Sequence, residues 1–357
     1  MTVSSTNLLA DDLDQIVDRT RELWEDLRGQ RIFVTGGTGF FGCWLLESLL
    51  WANDKLQLGV SVTVLTRDIA AFGVKAPHLV RHAAIRLVAG DVCSFEFPEE
   101  VFTYVIHAAT ASSSTLAKSD PLRMFDTIVS GTTRTLEFAR RCSARRVLLT
   151  SSGAVYGPQP TTLSHLPEEY SGSPDLTTAS STYAEAKRAA EILCAIYGQQ
   201  HGVHVSVARC FAFVGPYLPL AEHFAAGNFV RDGLAGGPIH VKGDGTPYRS
   251  YLYASDLAVW LWTILLRGRA ARAYNVGSET PVRIVDLANL IATLFKPESS
   301  VIVAQAPTKH SSGERYVPST RRAQVELGLT STVNLEQALA RTIDWHRRRL
   351  KVTHVDN

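Results

Sequence analysis

The sequence of 357 residues lacks several features that mark particular classes of protein. Its five cysteines are scattered and include no C-x-x-C pair, so we expect no metal site and no disulfide framework, and a reducing compartment is favoured. The formal net charge is only +2, which gives no electrostatic argument for a nucleic-acid partner. No apolar run is long enough to span a bilayer, so we expect no membrane association.

The N-terminal segment also lacks the basic and then apolar composition of a signal peptide. Acidic side chains stand there instead, at Asp11, Asp12 and Asp14, and we therefore expect a cytoplasmic protein. Residues 10–28 carry apolar side chains at helical spacing, which predicts a short amphipathic helix. The predicted buried face consists of Leu13, Ile16, Val17, Thr20, Trp24 and Leu27.

Apolar segments alternate with helical patterns up to residue 210. Strands are predicted over 31–35, 60–65, 85–89, 104–107, 146–150 and 204–209. Helices are predicted between them, notably over 43–51, 121–142 and 182–200. This alternation is typical of a parallel sheet that is covered on both faces.

The pattern changes after residue 210. Gly, Pro and Tyr become frequent through 215–250, and irregular links join predicted helices over 220–235, 255–267, 284–295 and 334–349. We therefore predict an α/β fold with a doubly wound parallel-sheet Rossmann domain and a smaller, mostly helical C-terminal substrate domain. The predicted bounds are 1–29 for an N-terminal helical extension, 30–210 for the dinucleotide-binding domain and 211–350 for the substrate-binding domain, with part of 251–277 returning to the Rossmann domain.

A glycine-rich loop follows the first predicted strand and leads directly into a helix. Glycine recurs there at Gly36, Gly39 and Gly42. Glycine allows a tight turn and a close approach of the backbone to a pyrophosphate, and the helix N-terminus supplies amide donors and a positive dipole end. A glycine triplet between a strand and a helix predicts a dinucleotide site.

The end of the second strand bears on the choice between NAD and NADP. An acidic residue there bonds the ribose hydroxyls of NAD, whereas an arginine accepts the 2′-phosphate of NADP. The strand ends in Thr66-Arg67, with Asp68 one residue later, which favours NADP slightly. The alternative is that Arg67 faces solvent and Asp68 still reaches the ribose. Asp91, after the third strand, is a candidate for the adenine amine or a simple turn residue.

A tyrosine and a lysine four residues apart lie near the start of the helix predicted over 182–200. Tyr183 and Lys187 would share one helix face. A phenol is a poor base at neutral pH, and a nearby ammonium favours the phenolate and lowers its pKa. The pair therefore predicts an acid–base site, in which the same lysine can bond the nicotinamide ribose.

Together these motifs, with His107-Ala108-Ala109 and Ser152, resemble the extended short-chain dehydrogenases/reductases. More narrowly, residues 30 to 345 resemble the nucleotide-sugar epimerases, dehydratases and decarboxylases of that superfamily. The resemblance implies that Ser152, rather than Ser151, bonds the sugar oxygen whose proton Tyr183 removes. A strand-end serine that caps a turn is the alternative. The resemblance also implies cofactor contacts at Gly36, Gly39, Phe40, Phe41, Gly42, Thr66, Arg67, Asp91, Val92, Ala108, Ala109, Tyr183 and Lys187.

The resemblance extends to the substrate, which it implies is a nucleotide-diphosphate sugar. It implies a nucleotide contact at Asn228 and a diphosphate contact at Arg249, for which a surface salt bridge is the alternative. Lys309 or Arg315 could add a second phosphate contact. Thr110, Ser112 and Ser113 could face the sugar or form a plain serine-rich loop. Two departures from the family's pattern weaken the assignment of these substrate contacts, because Ile128 and Ala212 stand where the family often has asparagine.

The two residues after Ser152 limit the reactions that the site is expected to catalyse. Dehydratases of the family carry an Asp-Glu pair there, and decarboxylases of uronic acids carry a glutamate, whereas this chain has Gly153-Ala154. Neither residue transfers protons, and loss of a general acid forfeits ~10²–10⁴-fold in rate. The prediction is therefore an NAD(P)-dependent nucleotide-sugar epimerase that oxidises a sugar carbinol, at C4, and returns the hydride.

Other functions remain open at this point. The alternatives are an NADPH-dependent 4-keto-sugar reductase, an atypical dehydratase and, with least support, a non-catalytic cofactor sensor. In similar proteins the helices that match 121–142 and 182–200 form a four-helix interface, so the resemblance implies a homodimer.

Overall fold

The protein is described from a computed structural model, in which residues 7–111, 114–222, 224–306 and 313–353 are placed. In these ranges the strands are β1 Arg31–Thr35, β2 Ser61–Thr66, β3 Ile85–Ala89, β4 Tyr104–His107, β5 Arg146–Ser152, β6 Val205–Cys210, β7 Phe213–Val214, β8 Ile239–Val241, β9 Tyr248–Arg249, β10 Leu252–Tyr253, β11 Arg272–Val276, β12 Val282–Arg283, β13 Val301–Val303 and β14 Arg315–Tyr316. The α-helices are α1 Ala10–Arg19, α2 Arg21–Trp24, α3 Phe40–Leu56, α4 Ile69–Lys75, α5 Pro77–Val80, α6 Ser114–Ser119, α7 Pro121–Arg141, α8 Thr182–His201, α9 Ala225–Leu234, α10 Ala254–Arg267, α11 Ile284–Thr293, α12 Arg321–Leu327 and α13 Leu335–Thr353.

The large sheet has seven parallel strands in the order β11-β6-β5-β4-β1-β2-β3. The strand order reverses between β1 and β4, and ligands of open α/β sheets bind beyond the carboxyl ends of the strands at this kind of switch point. The structure confirms the predicted doubly wound α/β fold. It places the ends of β1, β2, β4 and β5 around one crevice.

Alternation along β1 distributes its side chains to two separate cores. Ile32 and Val34 pack with Trp44 of α3 and with α10, whereas Phe33 packs on the other face against Phe138 of α7. Successive side chains of a strand point to opposite faces, so a strand with helices on both sides must be apolar throughout. This requirement explains the unbroken apolar run in β1.

The chain returns to the large sheet late in the sequence. Helix α10 packs against α3, and β11 pairs with β6 at the edge of the sheet. Helices α9 and α11 and the β8–β13 pair surround a smaller core that contains Phe229, Leu287 and Ile291. The sequence analysis predicted the helices of this region but not its short strands. Three of those strands form a small sheet in the order β12-β9-β14.

The N-terminal segment covers one edge of the helical layer. The predicted buried face is confirmed, but the single predicted helix is wrong, because the helix ends at Arg19 and resumes as α2 and a 3₁₀ turn. Thr20 lies at the break and donates its hydroxyl to the Ile16 carbonyl at 2.5 Å. Trp24 packs edge-on against Trp262 of α10, so the segment is part of the fold. Within the placed residues, no helix combines the length and the apolar character needed to cross a bilayer.

Candidate active site

The glycine loop lies between β1 and α3, where the fold leaves no room for side chains. A Cβ on Gly36 would lie 2.4 Å from the Ala108 carbonyl carbon, and Gly36 has a φ of +73°. A Cβ on Gly42 would lie 2.3 Å from the Gly37 Cα. The loop therefore packs backbone against backbone, and α3 begins at Phe40 immediately after it. The first amides of a helix have no partner within the helix, so those of Phe40 and Phe41 are available to an anion.

A lysine holds the outer side of this loop. Lys75, at the end of α4, donates to the Thr38 carbonyl at 2.7 Å, and Arg349 of α13 donates to the Lys75 carbonyl at 2.8 Å. The loop is thus held by α4, and α4 is held in turn by α13. The sequence analysis missed this contact, because α4 and the glycine loop become neighbours only in the folded protein.

The end of β2 presents an arginine to solvent. Thr66 is buried, and its hydroxyl lies 3.3 Å from the Asp68 amide. Asp68 caps α4 by accepting the Ala71 amide at 2.8 Å, whereas Arg67 is exposed. One carboxylate oxygen of Asp68 is therefore already engaged in a helix cap.

The next two strands complete the cofactor side of the crevice. Asp91 is exposed and accepts the Cys93 amide at 2.9 Å, and Val92 is buried against Gly131. His107 ends β4 and lies between Thr35, at 2.7 Å from Nδ1, and Thr132, at 3.1 Å from Nε2. Burial and the nearby Lys187 lower the pKa of His107 to about 3, so this imidazole is neutral. Ala108 and Ala109 follow it and face Gly36.

The two adjacent serines at the end of β5 point in different directions. Ser151 donates to Glu191 at 2.5 Å, and Glu191 is paired with Arg209. Ser152 instead accepts the Ala154 amide at 3.1 Å, and its hydroxyl acts to lower the pKa of Tyr183. The structure thus separates Ser152 from the buried ion pair and places it beside the predicted base.

The hydroxyl of Tyr183 lies among polar but uncharged neighbours. Burial raises its pKa to about 12, while the hydroxyls of Ser152 and Thr110 act in the opposite direction. Burial outweighs the lowering effects in the protein alone, and the expected influence of Lys187 on the pKa of Tyr183 stays a prediction. The Lys187 ammonium donates to the Thr150 carbonyl at 2.8 Å, and burial lowers its own pKa to about 8. Of the predicted sugar contacts, Thr110 is the one that acts on the pKa of Tyr183.

Position 153 is closed by two aromatic residues that the sequence analysis did not identify. A Cβ on Gly153 would lie 2.6 Å from Phe211 Cζ and 2.7 Å from the Tyr316 hydroxyl oxygen. The two rings pack together with centroids 4.6 Å apart. Burial raises the pKa of Tyr316, and the hydroxyl of Ser152 acts in the opposite direction. No local pattern marks either residue, because each reaches the site from a separate strand end or short strand.

The small sheet places the two candidate phosphate-binding arginines on opposite faces. Arg249 pairs in register with Tyr316, and Tyr248 pairs with Arg315, so the two arginines alternate across the sheet. Arg249 lies beside the Tyr316 ring and forms a 3.0 Å ion pair with the exposed Glu314. Arg315 covers the Tyr248 ring, and its Nε is buried without a hydrogen-bond partner in the described structure.

Of the remaining predicted substrate contacts, Asn228 lies within the described residues. Asn228 is half-buried on α9 and accepts a hydrogen bond from Arg231 at 3.2 Å. Ser112, Ser113 and Lys309 lie outside the described residues. Of the two residues that stand where the family often has asparagine, Ile128 is buried within α7, and Ala212 follows β6.

The fold and the glycine loop define a Rossmann-type dinucleotide-dependent enzyme. The sequence profile of the NAD dependent epimerase/dehydratase family matches residues 32–277, and the chain belongs to that family. The resemblance found in the sequence is confirmed. The family's cofactor fits this chain, because Gly36 and Gly42 form a cradle that a Cβ would fill beside the free amides of α3.

Individual relatives span nearly the whole chain. The chain is 31% identical over 328 residues to UDP-glucuronic acid decarboxylase 6 of Arabidopsis thaliana, covering 90% of each protein. Its fold is similar to that of an epimerase from Methanothermobacter thermautotrophicus, with 22% identity and a TM-score of 0.80 over 96% of this chain and 98% of that one. It is also similar to that of UDP-glucose 4-epimerase from Thermotoga maritima, with 22% identity and a TM-score of 0.77 over 90% and 99% of the two chains.

Proposed function

We propose that this protein is an NAD(P)-dependent nucleotide-sugar epimerase that inverts the configuration of the carbinol carbon C4 of the sugar. The observation that carries the proposal is the combination of Ser152, Tyr183 and Lys187 with a position 153 that has neither a side chain nor space for one. Hydride transfer needs a base, an orienting hydroxyl and a cofactor. Elimination additionally needs a proton-transferring group, which Gly153 does not supply.

Each of these residues has one task in the proposed reaction. When bound, the nicotinamide would supply the hydride-transfer chemistry. Tyr183 takes the carbinol proton and later returns it, while Ser152 bonds the same sugar oxygen. Lys187 orients the bound cofactor through the nicotinamide ribose. Burial raises the pKa of Tyr183 to about 12 in the protein alone, so positive charge near its hydroxyl would be needed to favour the phenolate.

Decarboxylation of a nucleotide-linked uronic acid is the second candidate. It is supported by the 31% identity to UDP-glucuronic acid decarboxylase 6. It would begin with the same oxidation, since the first step of both reactions removes a hydride from a carbinol. The Gly153-Ala154 pair argues against it, because the decarboxylases of this family carry a glutamate in this two-residue stretch.

We propose NADP as the cofactor. Arg67 is exposed at the end of β2, and Asp68 uses one carboxylate oxygen to cap α4. An exposed guanidinium suits the 2′-phosphate of NADP. Continuous consumption of NADPH would, however, favour the reductase alternative over the epimerase.

We also propose a homodimer that forms through α7 and α8. Ile192 and Ile196 lie four residues apart on one face of α8 and are 59% and 38% exposed, and Leu122 of α7 is 71% exposed. Apolar side chains clustered on the surface of packed helices favour association. Sedimentation that shows only monomer at micromolar concentration would contradict this assembly.

Product analysis tests the function. The purified protein is incubated with UDP-, dTDP-, GDP- and CDP-sugars, including UDP-glucuronic acid, and the products are identified by NMR. An epimerase converts a C4-deuterated substrate into its C4 epimer and keeps the label, because the hydride leaves and returns within one complex. A pentose product with release of CO₂ would establish the decarboxylase, and hydrogen incorporated from NADPH would establish the reductase. Loss of the label to solvent would contradict a retained hydride.

A further inference from the structure

The peptide group between Thr38 and Gly39, in the glycine loop, is held at both of its polar atoms. Lys75, the last residue of α4, donates its ammonium to the Thr38 carbonyl at 2.7 Å, and the Cys43 thiol donates to the same oxygen at 3.8 Å. The Gly39 amide donates to the Gly36 carbonyl at 3.1 Å. These bonds fix the orientation of the peptide group directly before α3 begins.

The lysine is itself held by the C-terminal helix. Arg349 of α13 donates to the main-chain carbonyl of Lys75 at 2.8 Å. Both cations also lie against the Tyr217 ring, each 5.9 Å from its centroid, and the Arg349 guanidinium lies 4.8 Å from the Trp345 centroid. The Tyr217 hydroxyl donates to Glu47 of α3 at 2.5 Å. The cluster of Lys75, Arg349 and Tyr217 thus links α4 and α13 to α3.

The backbone at Tyr217 indicates that this cluster is firmly packed. Tyr217 has a φ of +70°, which is unfavourable for a residue with a Cβ. Such a conformation persists where the surroundings fix it. Here the ring is buried, and its partner Glu47 is also buried and lies 2.7 Å from Nε2 of His78. Lys75 therefore contacts a fixed group on α3 as well as the glycine loop.

The contact with Lys75 bears on how the loop presents itself to an anion. The first amides of α3, at Phe40 and Phe41, are available to the cofactor's pyrophosphate. A carbonyl oxygen that turned toward the same anion would repel it. While the ammonium of Lys75 holds the Thr38 oxygen, that oxygen is kept from turning in this way.

We propose that Lys75 and Arg349 are positioning residues for the cofactor. Lys75 holds the Thr38 carbonyl so that the first amides of α3 stay available to the pyrophosphate, and Arg349 holds Lys75 in place. The C-terminal helix thereby supports cofactor affinity, although Arg349 lies outside residues 32–277, which the family profile matches. This inference rests on the proposed function only in taking the glycine loop as a dinucleotide site, and neither the sugar nor the reaction enters it.

The first test needs no cofactor. Amide hydrogen exchange of the free protein is followed by NMR at Gly39 in the loop and at Val147, whose amide donates to the His204 carbonyl in the large sheet. Lys75→Met removes the ammonium and should speed exchange at Gly39 about tenfold, the size expected for one lost hydrogen bond to a charged group. Exchange at Val147 should stay close to wild type.

Arg349→Met should speed exchange at Gly39 by a smaller factor, because its effect passes through Lys75. Arg348→Met is the matched control, since Arg348 is exposed and pairs with Asp344 of its own helix. It should keep the wild-type rate. Unchanged exchange at Gly39 in Lys75→Met, or equal acceleration at Gly39 and Val147, would overturn the proposal whether or not the protein is an epimerase.

The second test measures cofactor affinity by fluorescence titration with NADPH or NADH, whichever binds the wild type more tightly. Lys75→Met should weaken binding about tenfold, and Lys75→Arg, which keeps a cation, should restore most of the affinity. In the Lys75→Met background, Arg349→Met should cost almost nothing further, since the arginine acts through the lysine. Arg348→Met should bind as the wild type does.

Full additivity of Lys75→Met and Arg349→Met would contradict the proposed order of contacts, because it would show that the arginine acts on the cofactor independently. If the wild type binds no dinucleotide, the proposed function fails. The exchange test then decides by itself whether Lys75 and Arg349 hold the loop, so the two failures are distinguishable.

Discussion

The cofactor half and the catalytic half of the crevice are built in different ways. The cofactor half is mainly backbone, since a Cβ on Gly36 or Gly42 would lie within 2.4 Å of main-chain atoms. The catalytic half is made of side chains that come from separate elements, namely Thr110, Ser152, Tyr183 and Tyr316. A short loop thus defines the first half, whereas the topology of the whole chain assembles the second.

This difference separates the effects that substitutions should have. In the cofactor half, an added atom meets backbone that cannot move aside, so the fold and cofactor affinity should suffer. In the catalytic half, removal of one hydroxyl leaves the packing of the ring intact, so turnover should fall while the fold persists. Substitutions in the two halves can therefore be told apart by measuring stability and turnover together.

Tyr183→Phe is expected to give the largest effect. Loss of the acid–base hydroxyl should reduce turnover by ~10²–10⁴-fold, whereas the melting temperature and cofactor affinity should stay close to wild type. Lys187→Met should reduce turnover and also weaken the cofactor, because the lysine serves both. Steady-state kinetics and cofactor titration by fluorescence measure the two quantities. Tyr197→Phe, on the same helix, is the control, and normal turnover by Tyr183→Phe would refute the site assignment.

Gly36→Ala probes the cofactor half and has a matched control in Gly29→Ala. Both glycines have positive φ, +73° and +66°, but only Gly36 would place a Cβ against backbone, at 2.4 Å, while Gly29 has open space. Gly29→Ala should therefore cost only the backbone strain, about 1 kcal/mol, and Gly36→Ala roughly 3 kcal/mol or more. Urea unfolding and cofactor titration check this. Equal losses for the two variants would mean that the loop can move away from β4.

The cofactor half was largely predictable from sequence, and the catalytic half only in part. The glycines lie in a short loop that follows an apolar strand, and the strand β1 has the predicted bounds. Tyr183 and Lys187 are also local, because helical spacing puts them on one face. Tyr316 was missed because a two-residue strand carries no periodicity and forms only through pairing with β9. The break at Thr20 was missed because helical apolar spacing continues through it.

The pH dependence of stability should reveal the neutral histidine behind the glycine loop. The folded protein holds the pKa of His107 at about 3, below its ordinary value of 6.5, so the unfolded chain binds more protons between these values. The stability contributed by the neutral imidazole is complete above pH 6.5 and is lost as the pH falls. The loss should reach about 2 kcal/mol between pH 6.5 and pH 5.

Urea unfolding at pH 7, 6 and 5 measures this loss. His107→Gln should flatten the pH slope, while His201→Gln, at the exposed end of α8, should keep it. A slope that is unchanged in His107→Gln would show that other groups cause the acid sensitivity.

Gly153→Ala tests whether the catalytic half is as closed as the structure indicates. The new Cβ would meet Phe211 at 2.6 Å and Tyr316 at 2.7 Å, both side-chain atoms that can yield. The expected cost is about 1–3 kcal/mol of stability, with reduced turnover because the rings of Phe211 and Tyr316 must move next to the catalytic serine. Gly243→Ala, which has nothing within 4 Å, is the control. If Gly153→Ala left stability and turnover intact, position 153 would have space for a side chain. The argument that this position excludes an elimination reaction would then be weaker.

Arg67→Ala should give the smallest effect. It compares an exposed side chain of the cofactor half with the buried glycine backbone of the same half. Unlike the glycines, Arg67 is an exposed side chain, so its removal should leave the fold intact and act only on the 2′-phosphate. NADP should bind about tenfold more weakly, the loss expected for a hydrogen bond to a charged group, while NAD affinity is unchanged. Fluorescence titration with NADPH and NADH measures both affinities, and Arg81→Ala, which also removes an exposed arginine, is the control. Equal losses of affinity for the two cofactors, or no loss, would mean that Arg67 does not bind the 2′-phosphate. Asp68 would then be the residue to test, since its second carboxylate oxygen would be the group at the end of β2 that meets the ribose hydroxyls of NAD.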